Sequence, residues 1–296
     1  MSIQPSSTSC GFRAFELRKT FGKKVVLDDL TLDVPVGCTL GLLGENGSGK
    51  STLLKILLGL IPADGGEALV AGEASARLSP AVREKIGYVV QSPGQFPWLS
   101  GKAMLEYVGS FYPTYDRDYA RALADRWRLS LRTPIGLLSP GQQQRLSIVR
   151  ALATRPTLLV LDEPIASIDP ATRLAVIDEL LAQREQRELT VIFSSHITGD
   201  LERFCSHFAV LANGKIAMSE PTSTIRALRR LTIEGEESKV AALSLGAAKH
   251  VREAPGKRIV VVEESRRSEL LASLPDDVNV KSETRDLESV LSEWMQ

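Results

Sequence analysis

Short apolar runs and alternating stretches mark out most of the chain. Residues 12–17 and 25–34 alternate or run apolar, which predicts strands, and residues 39–43 form an apolar run that leads into glycine, which predicts a buried strand. Next comes Gly44-Glu45-Asn46-Gly47-Ser48-Gly49-Lys50-Ser51-Thr52, then Leu53, Leu54, Ile56, Leu57 and Leu58 on a helix that ends at Gly59, with Pro62 beyond it. Strand-like runs recur at 86–90, 158–161 and 191–194 with helical stretches between them, the pattern of a mostly parallel α/β sheet. Between Ser92 and Pro134 only helical spacing is visible, at 100–110 and 118–129, so a helical subdomain is expected inside the α/β core. From about Arg230 a second, βα-like pattern begins, with strands at 231–234, 258–263 and 278–281 and helices near 265–274 and 284–294. In the last of these, Leu287, Val290, Leu291 and Trp294 recur at helical spacing, which predicts a buried face.

Composition narrows the class. The 296 residues are 43 % apolar and 24 % charged, which describes a folded globular chain of one large or two modest domains. Thirty-six Lys and Arg balance thirty-six Asp and Glu, so the global basic signature of bulk nucleic-acid binding is missing. No apolar run approaches the roughly 18 residues that span a bilayer, and residues 1–11 lack the charged-then-apolar pattern of a secretory signal. Cys10, Cys38 and Cys205 are few and unevenly spaced, which suits free thiols in a reducing cytoplasm better than disulfides or a zinc site.

Three segments carry chemistry. Gly44 to Ser51 fits G-x-x-x-x-G-K-[ST] between a strand and a helix, the context a phosphate loop requires. Gly44, Gly47 and Gly49 let backbone N–H groups converge on phosphate oxygens, and the following helix presents its positive end to the same anion. Lys50 reaches the β- and γ-phosphates and the Ser51 hydroxyl ligates Mg²⁺. The run 158–161 delivers two carboxylates, Asp162 for the metal and Glu163 to polarise an attacking water; beside a phosphate loop the functional reading outweighs that of an ordinary strand end. Leu138-Ser139-Pro140-Gly141-Gln142 opens a helix with Ser139 as N-cap, Pro140 at the first position and Gln142 closing a capping box. A well-capped helix and an anion site at a positive helix end explain that segment equally well.

Taken in order over residues 12–218, these motifs resemble those of an ABC transporter ATP-binding subunit. Phe21 resembles the aromatic that stacks on adenine, and Gly44–Thr52 (with Asn46, Ser48 and Thr52) the Walker A loop. Gln91 resembles the Q-loop glutamine, a sensor of metal and γ-phosphate, and Leu138–Gln142 the signature sequence. Leu158–Asp162 resembles Walker B, Glu163 the catalytic glutamate, Ser167-Ile168-Asp169 the D-loop and His196 the switch histidine. The resemblance implies a P-loop NTPase core with a mostly parallel sheet, an antiparallel β subdomain and an inserted helical subdomain at about 92–157. It assigns residues 12–229 to the ATP-binding domain and 230–296 to a small α+β accessory domain. It further implies ATP and Mg²⁺ as ligands, and a homodimer or heterodimer in which the signature of one subunit (Ser139, Gly141 and Gln142) faces the Walker A loop of the other. Integral membrane permease subunits are the implied partners, no nucleic acid is expected, and the location is cytoplasmic, peripheral on the inner face of the membrane. Export-type bacterial subunits are the subfamily suggested by Tyr112-Pro113-Thr114-Tyr115-Asp116 and by the short tail.

The sequence departs from the family pattern at Pro140, where glycine is usual and where an N–H is lost; Ser139 and Gly141 are retained. Phe21 replaces a common tyrosine and can stack without offering a hydroxyl. Phe96 and Trp98 could be exposed anchors for a membrane partner or could fill the helical subdomain, while Tyr107, Tyr112 and Tyr115 read as packing. The alternative function is a soluble ABC ATPase acting on ribosomes or DNA without a permease. Such chains commonly carry two ATPase domains or long coiled coils, and this sequence has one domain and no sustained heptads.

Overall fold

The computed structural model describes residues 10–92, 96–196, 199, 201–243, 245–246, 248–275, 278–284 and 287–295. It opens with β1 (Cys10–Phe21) and β2 (Lys24–Pro35), an antiparallel pair turned at Gly22 with Phe12 opposite Val34 and Leu17 opposite Leu30. β3 (Thr39–Leu43) is buried along its whole length and leads into α1 (Lys50–Leu57), which stops before Gly59 in the left-handed region. β4 (Gly65–Val70) and β5 (Glu73–Ala74) complete a four-stranded antiparallel sheet in the order β2-β1-β4-β5. A short α2 (Pro80–Arg83) precedes β6 (Ile86–Val89).

The helical subdomain follows with α3 (Gly101–Gly109), α4 (Arg117–Arg126) and α5 (Pro140–Ala153). Each begins at a side-chain cap, from Ser100, Asp116 and Ser139 in turn. The chain then returns to the core through β7 (Leu158–Asp162), α6 (Pro170–Gln186), β8 (Thr190–Ser195), β9 (His207–Ala212) and β10 (Lys215–Pro221). The six-stranded sheet runs β10-β9-β3-β8-β7-β6, parallel throughout except for β10. Alternation along its strands feeds two cores. Leu40, Leu42, Val160 and Ile192 face α1 and the antiparallel sheet, while Leu43, Leu161, Phe193 and Val210 face the helices.

β4, β5, β9, β10 and, in the tail, the strand at Ala248–Ala254 add to the strands expected from the sequence. β9 and β10 are joined by Asn213-Gly214, both at positive φ, the two-residue turn that matches strand twist. After α7 (Thr222–Arg226) come β11 (Leu228–Glu234), α8 (Glu237–Ala241), β12 (Ala248–Ala254), β13 (Lys257–Glu263), α9 (Glu264–Ala272), β14 (Asn279–Thr284) and α10 (Leu287–Met295). The sheet order β12-β13-β11-β14 is wholly antiparallel, the split β-α-β-β-α-β arrangement. α10 packs away from this unit's own core: Val290 and Leu291 join the main core beside Phe208 and Val210. Glu293, buried on the same helix, pairs with Arg230 at 2.5 Å and Arg252 at 3.2 Å. The three cysteines are free thiols, and burial raises the pKa of each.

Candidate active site

The loop between β3 and α1 takes its shape from glycine. Gly44 has φ +154°, and a Cβ there would stand 2.4 Å from the Leu211 carbonyl oxygen and 2.7 Å from Ser48 Oγ. Gly49, at φ +110°, is the N-cap of α1 and supplies no side chain to close the helix end, which leaves first-turn amides for an anion. Lys50 is buried at this end. Its Nζ donates to the carbonyls of Gly44 at 2.7 Å and Glu45 at 3.1 Å and stands 3.4 Å from Glu163 Oε1.

Strand order brings the acidic pair to the same place, because β7 lies one strand removed from β3, with β8 between them. Asp162 and Glu163 are both buried. Asp162 Oδ1 accepts from Ser194 Oγ at 2.8 Å, and the Glu163 amide donates to Ser194 Oγ at 3.0 Å. Glu163 has φ +47°, a left-handed backbone that side chains other than glycine rarely adopt. His196 Nδ1 lies 2.9 Å from Glu163 Oε2. Tyr88, on β6, has its phenol pushed up to about 12 by burial and then by the charge of Asp162.

A cavity of about 350 Å³ joins these parts. It is lined by Asn46, Gly47, Gly49, Lys50, Ser51 and Thr52 of the loop and α1, together with Phe21, Val26, Gln91 and Glu163. The half-exposed Phe21 ring forms the rim, with Lys19 Nζ 5.3 Å from its centroid. Gly44 and Ser48 shape the loop without lining the cavity, and Asp162 and His196 reach it through Glu163. Ser139, Gly141 and Gln142 are not on this cavity.

Those three residues form the capped start of α5. Gln142 N–H donates to Ser139 Oγ at 3.3 Å and Ser139 N–H to Gln142 Oε1 at 2.9 Å, with Pro140 in the first turn. Gly141 packs against the following loop, where a Cβ would stand 2.8 Å from the Ser167 carbonyl oxygen. Two residues on, Asp169 caps α6 through Thr172. Further along α5, the wholly buried Gln144 donates to the carbonyl of Val90 at 3.3 Å, which ties this helix to the residue before Gln91.

A larger cleft of about 680 Å³ lies between the end of α1, β6 and the helical subdomain, with Leu60, Tyr88, Phe111, Tyr112 and Arg150 on its walls. Beside it Phe96, Trp98, Tyr107 and Phe111 form an exposed row, with successive centroids 5.7, 6.0 and 5.2 Å apart for Phe96–Trp98, Phe96–Tyr107 and Tyr107–Phe111. Phe96 and Trp98 are therefore on the surface. Tyr107, expected to be packing, is half exposed, whereas Tyr115 does pack, against Gly109 and the helical core.

The polar groups suit a nucleoside triphosphate. The loop is shaped around glycine, α1 has an uncapped positive end, and Oε1 of Glu163, on the cavity wall, is buried without a hydrogen-bond partner. Among the described residues no cluster of three His, Cys, Asp or Glu could hold a metal. The expected donor set of one hydroxyl, Ser51, one amide, Gln91, and one carboxylate, Asp162, suits Mg²⁺, a hard cation held by few protein oxygens together with substrate phosphates and water.

Residues 27–166 match the family described as ABC transporter. The chain is 35 % identical to a Nod factor export ATP-binding protein of Bradyrhizobium diazoefficiens, over 71 % of this chain and 70 % of that one. It is 29 % identical to an uncharacterized ABC transporter ATP-binding protein of Bacillus subtilis, over 95 % of this chain and 92 % of that one. A solved dimeric bacterial ABC transporter cassette superposes with a TM-score of 0.65 at 25 % identity, covering 71 % of this chain and 98 % of its own.

Proposed function

The chain belongs to the ABC transporter family as an ATP-binding subunit, and on that premise we propose that Glu163 and its neighbours hydrolyse ATP held between Phe21 and the Gly44–Thr52 loop. The observation that carries this reading is the single cavity that joins Phe21, Lys50, Gln91 and Glu163, with His196 on the far oxygen of Glu163. Adenine stacks on Phe21, and the triphosphate lies on the loop amides and Lys50. Ser51 and, through water, Asp162 would hold Mg²⁺, which would offset charge on the phosphates. Glu163 orients the attacking water and takes its proton. The water oxygen bonds to the γ-phosphorus as the bond to the bridging oxygen breaks, giving ADP and phosphate. His196 holds the Glu163 carboxylate in line, and Gln91 senses the γ-phosphate and metal.

Ser139, Gly141 and Gln142 lie outside the cavity of their own chain. Their assignment is to the γ-phosphate of a second cassette, so that ATP closes a dimer and hydrolysis reopens it. The second cassette is either another copy or a related chain. The exposed aromatic row and the adjoining cleft are the face we assign to a separately encoded permease, since clustered exposed aromatics favour partner contact. Among the described residues no helix is long and apolar enough to cross a membrane, so in this reading the subunit is peripheral, on the inner face, through that permease. Residues 230–296 act as an accessory domain.

Affinity purification from detergent-solubilised membranes tests the partner: a polytopic membrane protein should co-purify in stoichiometric amount. Recovery with ribosomes or DNA, and no membrane protein, would transfer the chain to the soluble class.

A further inference from the structure

The geometry points to Ser194 as a positioning residue for hydrolysis, acting through Asp162 and Glu163; the inference rests on the reading of Glu163 given above. Ser194 sits beside Asp162 in the parallel ladder between β7 and β8. It is fully buried, and its hydroxyl is used in both directions: it donates to Asp162 Oδ1 at 2.8 Å and accepts the Glu163 amide at 3.0 Å.

That one oxygen therefore clamps the peptide between the two carboxylate residues. Glu163 holds φ +47° at this point, a conformation that persists only where its surroundings over-determine it. The backbone turn sets the two ends of the Glu163 carboxylate, Oε1 facing Lys50 at 3.4 Å and Oε2 facing His196 at 2.9 Å. On the Asp162 side, the bond occupies Oδ1 and fixes the carboxylate plane. Without the hydroxyl, the Glu163 amide loses its acceptor in a buried setting and its backbone is free to relax. The carboxylate then leaves its line between Lys50 and His196. Nucleotide binding does not pass through Ser194, which lines no part of the cavity. The expected signature is a loss of turnover at constant affinity.

The test uses Ser194→Ala, Ser194→Cys and Ser194→Thr in the full chain, with Glu163→Gln as control. Ala removes the hydroxyl, Cys keeps its size with a weak donor, and Thr keeps the hydroxyl. Ala and Cys should bind a fluorescent ATP analogue within about threefold of wild type, keep KM within about threefold, and lose at least about tenfold in kcat. Thr should return kcat to within about threefold. In the Glu163→Gln background, Ser194→Ala should cost nothing further, because both act on one carboxylate. Wild-type kcat in Ser194→Ala overturns the inference. So does a parallel loss of affinity, KM and thermal stability, or an Ala or Cys variant that does not fold; these mark a structural role. A folded Thr variant as slow as Ala also overturns it. If Glu163→Gln itself retains hydrolysis, it is the reading of Glu163 that fails.

Discussion

Lys50 Nζ and Glu163 Oε1 lie 3.4 Å apart, so the cation of the phosphate loop and the carboxylate after β7 form a buried pair in the wall of one cavity. Glu163→Gln removes the charge that Lys50 shares with incoming phosphate while keeping the shape of the side chain. ATP affinity should be equal to or above wild type, and phosphate release should fall by at least about a hundredfold, roughly 2.7 kcal/mol on the barrier. With ATP and Mg²⁺ the variant should elute as a dimer in sizing chromatography. A monomer at saturating ATP with full hydrolysis would remove Glu163 from its role.

Lys50→Ala acts on binding itself. The lost charge-assisted contact is worth about 1.5–3 kcal/mol, or roughly ten- to a hundredfold in affinity. Titration with a fluorescent ATP analogue reads this directly, and unchanged affinity would contradict the phosphate-loop reading.

Gly141→Ala puts a methyl group 2.8 Å from the backbone oxygen of Ser167, and a backbone atom cannot step aside as a flexible side chain can. The start of α5 must move away from the 167–169 segment. Monomer affinity for ATP should stay within about twofold, because Gly141 is off its own chain's cavity, while ATP-dependent dimerisation and hydrolysis fall by at least about tenfold. Analytical ultracentrifugation with and without ATP separates the two effects.

Pro140→Gly restores an N–H in the first turn but loosens a start that proline preorganises. The more flexible unfolded chain costs about 0.5–1 kcal/mol. The capping box between Ser139 and Gln142 survives the change. Hydrolysis should shift by less than about tenfold, with a slightly lower thermal midpoint. A hundredfold faster enzyme would mean that Pro140 restrains turnover.

Deleting residues 287–296 removes α10 and, with it, Val290 and Leu291 from the main core. Burying two such side chains contributes about 3–6 kcal/mol, and Arg230 and Arg252 lose Glu293 as well. The thermal midpoint should fall by at least about 5 °C, with ATP affinity at low temperature unchanged. Calorimetry beside a nucleotide titration checks both. An unchanged midpoint would mean that the helix adds nothing to the core.

The parts of the fold legible in the sequence are those with strong local signals. β3, β7 and β8 are buried on both faces and read as unbroken apolar runs. The loop from Gly44 to Ser51 announces itself by spacing, and α5 by its cap. β4 escapes notice because it begins Gly65-Gly66 and carries Glu67, poor strand formers that tertiary pairing with β1 overrides. β9 and β10 had a usable signal, Asn213-Gly214 between apolar runs. In the tail, β12 has no strand expected from the sequence, and without it the remaining strands and helices read as a βα-like unit. Only the register reveals that β13 inserts between β11 and β12 and makes the sheet antiparallel. Of the candidate site residues, the Gly44–Ser51 loop stands out by its spacing, whereas Phe21, Gln91 and His196 are singled out only by the family resemblance. Ser194 is singled out by neither, because a serine at a strand end is ordinary until its two hydrogen bonds are seen.

The left-handed backbone at Glu163 has a consequence for directed evolution. Asparagine adopts that conformation at lower cost than glutamate, by up to about 1–2 kcal/mol. Against that relief stands the loss of the carboxylate that Lys50 and His196 face, and a folded Glu163→Asn variant would bind ATP without hydrolysing it. A thermostability screen that varies this position therefore needs a turnover readout alongside it.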